Sequence, residues 1–354
     1  MKLITKMKPK FKILLGLMIT IVFLSESAFA QTVSPLQTGH YMTGFTNVRD
    51  MGKMSPGLVG IVYNYYGWTN KYVDRNGNKY DKITLGELHP ALPQVDLDVD
   101  VSSFAIVPAL YWASDFTLLG GANYVVGVVP NYYWADAFFV AEGGGGLTDT
   151  TFKESGSARL AGWGDLFVAP LGLGWGFDHF DATFFYGFTA PTGKYENGAD
   201  DNIGLGFWTH QFQGFGYYYP NVDQSTALML GLTYELNTKI KGEDFNPGNR
   251  FSLEWGISQY LSDRFEFSIM GGHNWQVSDD KGADVYWDPS YHDRKSTLAL
   301  SPAYWAVQQR LYISAKYMFD FGARQRFQTN GLMLSLIFVT NAMDGVKSNK
   351  KSTN

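Results

Sequence analysis

Apolar and polar residues alternate along residues 250–277, RFSLEWGISQYLSDRFEFSIMGGHNWQV, in two arms about a polar break. Phe251, Leu253, Trp255 and Ile257 alternate with Ser252, Glu254, Gly256 and Ser258. Beyond Leu261-Ser262-Asp263-Arg264, Phe265, Phe267, Ile269 and Gly271 alternate with Glu266, Ser268, Met270 and Gly272. A period of two over roughly ten residues per arm predicts an antiparallel hairpin with one apolar and one polar face. Arms of roughly nine to eleven residues suit tilted strands that cross a bilayer.

Comparable arms recur at 57–66, 101–112, 116–129, 164–175, 181–190, 203–214, 224–234, 297–307, 310–319 and 330–340. The connections at 67–100, 130–162, 191–201, 235–249, 278–296 and 321–328 are mostly long. Those at 113–115, 176–180, 261–264 and 308–309 are short, and 215–223 is the exception. Long outer loops, short periplasmic turns and an even strand number belong to outer-membrane barrels. The predicted fold is all-β, a transmembrane antiparallel β-barrel of outer-membrane type with about 12 strands over residues 57–340. Tyrosine and tryptophan cluster near the strand ends, where interfacial girdles are expected. Pro108 and Pro170 each remove a ladder donor and predict a bulge or local irregularity, read as a bend in preference to a lateral exit for apolar substrates. Glycines 143–146 predict a flexible loop, with a short amphipathic piece entering or capping the lumen.

The ends read differently. Five lysines, an apolar run at 13–24 and Ala28-Phe29-Ala30 make residues 1–30 a cleaved signal peptide. Residues 31–56 show no sustained period and are expected to be a periplasmic lead-in. Residues 341–354 form a polar tail. After residue 30, no apolar run is long enough to span as a helix.

Among 354 residues, 39 are glycine, 22 tyrosine, 26 phenylalanine and 10 tryptophan, and only 17% are charged, which is low for a soluble protein. The net charge of -5 gives no basic footprint for nucleic acid. No cysteine is present, which excludes disulfides, thiolate metal sites, a cysteine nucleophile and a lipoprotein anchor. The six histidines form no metal-binding motif, and His273 lacks the adjacent serine of the outer-membrane phospholipase arrangement. Asp96, Asp98 and Asp100 read as a solvated strand face. No catalytic, cofactor or metal residue is assigned.

Within 162–206, Gly164-Asp165-Leu166 is followed by Pro170, then Pro191-Thr192-Gly193-Lys194-Tyr195, then Asn202 through Gly206-Phe207-Trp208. Asn237, Gly248, Gln259 and Asp263 extend the ordered set. On these residues the chain resembles the outer-membrane family associated with the MetA pathway of phenol degradation, also called the SphA-like transporters. The resemblance implies a barrel that carries aromatic or other hydrophobic compounds. Three functions are compatible with the sequence. In the first, a passive conduit serves small hydrophobic or aromatic solutes, with Tyr132, Trp134 and Trp287 as entrance contacts. In the second, a general porin for ions and small solutes is lined by Asp165, Glu254, Glu266, Arg310 and Lys316. The third is a closed structural or adhesive surface barrel. The expected partners are outer-membrane lipid, lipopolysaccharide and the barrel assembly machinery, and a monomer is the expected state.

Overall fold

In the computed structural model, which describes residues 39–84, 94–143, 152–197, 199 and 201–340, the regular structure is all strand. In chain order the strands are β1 (Gly57–Thr69), β2 (Tyr72–Val73), β3 (Lys82–Thr84), β4 (Gln94–Leu118), β5 (Ala122–Val129), β6 (Tyr132–Gly143), β7 (Phe152–Trp163), β8 (Leu166–Gly176) and β9 (Phe180–Ala190). They continue as β10 (Thr209–Tyr218), β11 (Thr226–Asn237), β12 (Arg250–Tyr260), β13 (Phe265–Gln276), β14 (Arg294–Val307), β15 (Leu311–Arg324), β16 (Arg326–Phe327) and β17 (Asn330–Val339).

Twelve strands, β1, β4, β5, β8 to β15 and β17, form a closed antiparallel barrel, as the sequence predicts. The ring closes through β1, which pairs with β17 from Val59↔Val339 to Trp68↔Asn330 and with β4 from Gly57↔Ala113 to Thr69↔Val101. Closure matters because an open edge in hydrocarbon would leave backbone groups unpaired. Alternation sets the two faces. Along β12, Ser252, Glu254 and Ser258 are buried inside while Phe251, Leu253 and Ile257 point out. Exposed Leu228, Leu230, Leu232, Ile269, Leu332 and Leu334 form the outer apolar band. Aromatic pairs mark its two ends, Tyr66–Trp68 at 5.7 Å above and Trp112–Phe116 at 6.4 Å below.

Four expectations change. The first short turn falls at 119–121 instead of 113–115. The chain at 113–116 stays in β4 through a bulge, where Ser114 Oγ accepts from the Tyr124 amide and donates to the Phe116 carbonyl. Leu119, at φ +37°, and then Gly120 and Gly121, at +79° and +95°, make the reversal, the glycines without the steric cost a side chain carries there. Much of 130–162 is no loop but the hairpin β6–β7, which pairs with the upper half of the 25-residue β4. Glycines 144–146 lie outside the described residues. Residues 203–208 are loop, and β10 begins only at Thr209.

The fourth change is the largest. Residues 39–56 are not a periplasmic lead-in. From Gly39, beside the upper ends of β11 and β12, the chain descends inside the barrel as a strap and emerges at Pro56 below β1. Two glycines on the inner wall make room for it. A Cβ at Gly272 would lie 2.6 Å from Thr43 Cβ, and one at Gly256 would lie 2.8 Å from Val48 Cγ2.

Candidate functional site

The interior is divided by the strap into two chemically different halves. On one side it is fastened to a polar wall made by β11 to β15. Glu254 accepts from the Gly44 amide at 2.5 Å and from the Tyr41 hydroxyl. Lys316 donates to three strap carbonyls, those of Gly44 (2.9 Å), Phe45 (3.1 Å) and Thr46 (2.6 Å). Lower down, Arg49 donates to Ser258 (2.7 Å) and Glu266 (3.3 Å), with its guanidinium 4.8 Å from the Tyr260 ring centre. Three further ties run to other strands: Asp50 accepts from Tyr63 of β1 at 2.8 Å, and the side-chain amide of Asn123 on β5 and the hydroxyl of Thr183 on β9 hold the carbonyls of Met54 and Met51. A buried charge needs partners, and here the strap backbone supplies them.

The other side is apolar. Between the strap and the wall of β1, β4, β5 and β8 lies a cavity of about 470 Å³, faced by Tyr63, Tyr65, Ala105, Val107, Tyr111 and Phe167. Its polar edge comes from β10, through Gln211 and Gln213, and from His40 and Asp165 at the top. A second cavity of about 130 Å³ opens at the lower end, bounded by Arg49, Lys53, Asp181, Tyr219 and Trp305. Strap residues contribute to both cavities, so the strap is the partition between them.

One seam of the wall is thinly stitched, and it borders the upper cavity. On β4, Leu110 pairs with Val128 of β5 and Ile106 with Tyr132 of β6, which leaves Pro108 opposite Pro130 with no amide donor on either side. On the neighbouring course, Gly164-Asp165 separates β7 from β8. The join is made by the Gly164 amide to the Asn131 carbonyl (3.0 Å) and the Asn131 side chain to the Asp165 carbonyl (2.7 Å). Above it, among the described residues, β7 pairs only with β6. Pro170 falls within the register shift between Val168 and Leu171 on the β8–β9 ladder.

Asp165 is the knot of this region. Its carboxylate accepts from the amides of Gly193 (2.9 Å) and Leu205 (2.8 Å), and His40 of the strap lies 3.1 Å away. In Asp165→Asn one of the two accepting oxygens becomes an amide nitrogen, so at neutral pH the Gly193 or the Leu205 amide is expected to lose its protection from hydrogen exchange. Protection unchanged at both amides would remove Asp165 as the knot.

The structure distributes the sequence-predicted residues unevenly. Glu254, Glu266 and Lys316 point inward, but they hold the strap instead of lining an open bore. Asp165 sits at the seam. Arg310 is corrected: it is exposed in the lower turn 308–310 and donates to the Thr340 carbonyl, because β15 starts one residue later than its period suggested. Tyr132 and Trp134 are also placed outside the lumen. Their rings meet at 4.5 Å on the outer face, and it is Tyr133 that borders the cavity. Trp287 is buried in the outer loops against Phe245 at 5.0 Å and donates to Asp280 at 2.9 Å. Asp96, Asp98 and Asp100 are exposed, with Lys79 3.7 Å from Asp98.

Residues with no sequence signal of their own complete the polar wall. Arg250 and Arg326 both bind Asp293 and Asn274 near the top, and Lys295 and Thr297 bind Asp320. On the outer face His273 Nδ1 lies 2.8 Å from Ser296 Oγ of β14, and its ring stacks on Trp275 at 5.6 Å. Among the described residues, no group of three or more His, Asp or Glu is positioned to hold a metal ion.

Among solved structures the chain is similar to the COG4313 outer membrane channel from Pseudomonas putida F1, at 13% identity and a TM-score of 0.60, over 83% of this chain and 99% of that one. It is similar at a lower level to a Pseudomonas aeruginosa FadL homologue, at 12% identity and a TM-score of 0.40, over 83% and 92% of the two chains. No curated protein matches it. The closed barrel, its apolar outer band and the first likeness assign the protein to the cell outer membrane. The family model described as the putative MetA-pathway of phenol degradation matches residues 58–336, so the chain belongs to that family.

Proposed function

We propose that the barrel is a passive channel for small hydrophobic or aromatic compounds, which cross the outer membrane through the apolar half of its lumen. The observation that carries this reading is the cavity of about 470 Å³, whose β1, β4, β5 and β8 walls are apolar although the opposite wall is heavily charged. A pore for polar solutes has its charges in contact with water, whereas Glu254, Glu266 and Lys316 are spent on the strap. The Pseudomonas putida barrel of the same fold is an outer membrane channel. The thin seam at Pro108, Pro130 and Gly164 gives an apolar solute dissolved in the outer leaflet a side route to the cavity. No energy source is required, because transfer from lipid to an apolar pocket and onward runs down a concentration gradient.

The test is uptake of an apolar aromatic probe into proteoliposomes. Ala105→Trp fills the cavity from a wall position that makes none of the strap's hydrogen bonds, and uptake should fall to the level of protein-free vesicles while the barrel keeps its folded gel mobility. Uptake unchanged by Ala105→Trp would refute the cavity route. Large, stable ionic steps from the wild-type protein in planar bilayers would favour the porin reading instead.

A further inference from the structure

The outer wall carries a third concavity, one that has no part in the lumen. It measures about 760 Å³ and lies where β1, β4, β6 and β7 run together, between Trp68, Asp100, Ser102, Asp136, Phe138 and Arg159. Register fixes the face. Trp68 pairs with Ser102, Ser102 with Asp136 and Asp136 with Arg159, whereas Ser103 and Ala105, out of phase with them, border the inner cavity.

Its height is fixed by the aromatic rows beneath it. Phe104 lies 5.5 Å from Trp134, and below that row Tyr132 lies 5.3 Å from Trp163. Such rings settle at the level where acyl chains give way to head groups. Ser102 is one pleat repeat above Phe104, roughly 6.6–6.8 Å along the strand. A lipid whose chains rest on the Tyr132–Trp163 and Phe104–Trp134 rows therefore has its head group in this groove.

The groove's chemistry selects among head groups. Asp136 and Arg159 are paired at 2.5 Å, yet both side chains stay more than half exposed, at 53% and 79%. Asp100, Ser102 and Asn330 add acceptors and donors, and Trp68 and Phe138 offer ring faces. An acyl chain would strip water from these charges at a cost. A phosphate would face two carboxylates against one guanidinium. A sugar ring satisfies every part: its hydroxyls donate to Asp100 and Asp136 and accept from Arg159, and its C–H face lies on an aromatic ring. In the outer leaflet, sugars are attached to acyl chains. We propose that this groove binds the saccharide head group of an outer-leaflet glycolipid, with the lipid's chains on the aromatic rows below. The site does not depend on what passes through the lumen.

Native mass spectrometry of the full-length protein in a detergent without a sugar head tests this, with three probes: a diglycosyl ceramide whose sugars are uncharged, phosphatidylglycerol, and the free oligosaccharide of that glycolipid's head group. The wild-type protein should retain the diglycosyl ceramide in preference to both others. Loss of a stacking face in Trp68→Ala or Phe138→Ala should weaken that retention by roughly three- to tenfold, with aromatic-probe uptake unchanged. Ser157→Trp, which fills the groove, should abolish it, and serves should Trp68→Ala fail to fold. Equal retention of phosphatidylglycerol, free oligosaccharide binding as tightly as the glycolipid, or retention indifferent to all three substitutions would each overturn the assignment.

Discussion

Lys316→Met is expected to free the strap and convert a nearly silent barrel into one with large ionic steps in planar bilayers. Lys316 is 2% exposed and its ammonium is the common partner of three consecutive strap carbonyls. Methionine keeps the length and the packing but returns three buried carbonyls to an unpaired state. It also leaves Glu254, already buried at 1% exposure, without its nearby cation. Removing one member of a buried charged set costs about 3–5 kcal/mol, which lowers the docked-to-released ratio of the strap on the order of a hundredfold or more. Arg49 and Asp50 still tether the lower strap, so the opening should begin at its upper half. Conductance identical to wild type would mean that Lys316 does not hold the partition. Lys316→Arg should restore much of the closure if charge is what matters.

Asp293→Ala should be the most destabilising single change in the upper barrel. Asp293 is 2% exposed and accepts from both Arg250 and Arg326, which are themselves 3% and 6% exposed. Alanine leaves two guanidiniums facing one another across Asn274, with only the more distant carboxylates of Glu235 and Asp320 to offset them. The expected cost is about 3–5 kcal/mol, read as a lower melting temperature of the detergent-solubilised barrel. Asp293→Asn keeps an acceptor and should cost less. The pairing of Arg326 with Val73, which joins β16 to β2, should loosen with it. A melting temperature unchanged in Asp293→Ala would show that water reaches the cluster and screens it.

The barrel was legible because a two-residue period survives wherever lipid touches one face. In β12 and β13 the contrast between Leu253 or Ile269 and Glu254 or Glu266 is strong enough to fix both strand and orientation. The apolar half of the lumen was also written in the chain, as weak alternation: residues 101–112, VSSFAIVPALYW, place apolar groups on both faces. Ala105, Val107 and Ala109 face the cavity while Ile106 and Leu110 face out. The strap was not legible. Its fold comes from partners hundreds of residues away, as with Lys316 and Gly44, and no local period reports such contacts. The hairpin β6–β7 was hidden for another reason. Its outer face above Trp134 is solvated and charged, as at Asp136 and Glu142, so it lacks the apolar stripe by which a membrane strand is recognised.

The strap also constrains how the molecule can be put together. It precedes β1, but most of its fastenings lie on β11 to β15, near the other end of the chain, with Asp50, Met51 and Met54 held by β1, β9 and β5, and it lies within the ring that the β1–β17 seam closes. A finished cylinder offers the strap no side by which to enter, and threading a chain upward through a narrow bore is slow. The strap must therefore settle against the later strands while the sheet is still open, with the first and last strands meeting around it afterwards. Such contacts between distant parts of the chain delay folding. Closing the cylinder and sealing its bore thus become a single step, so that no leaky intermediate with a complete wall and an empty interior need form.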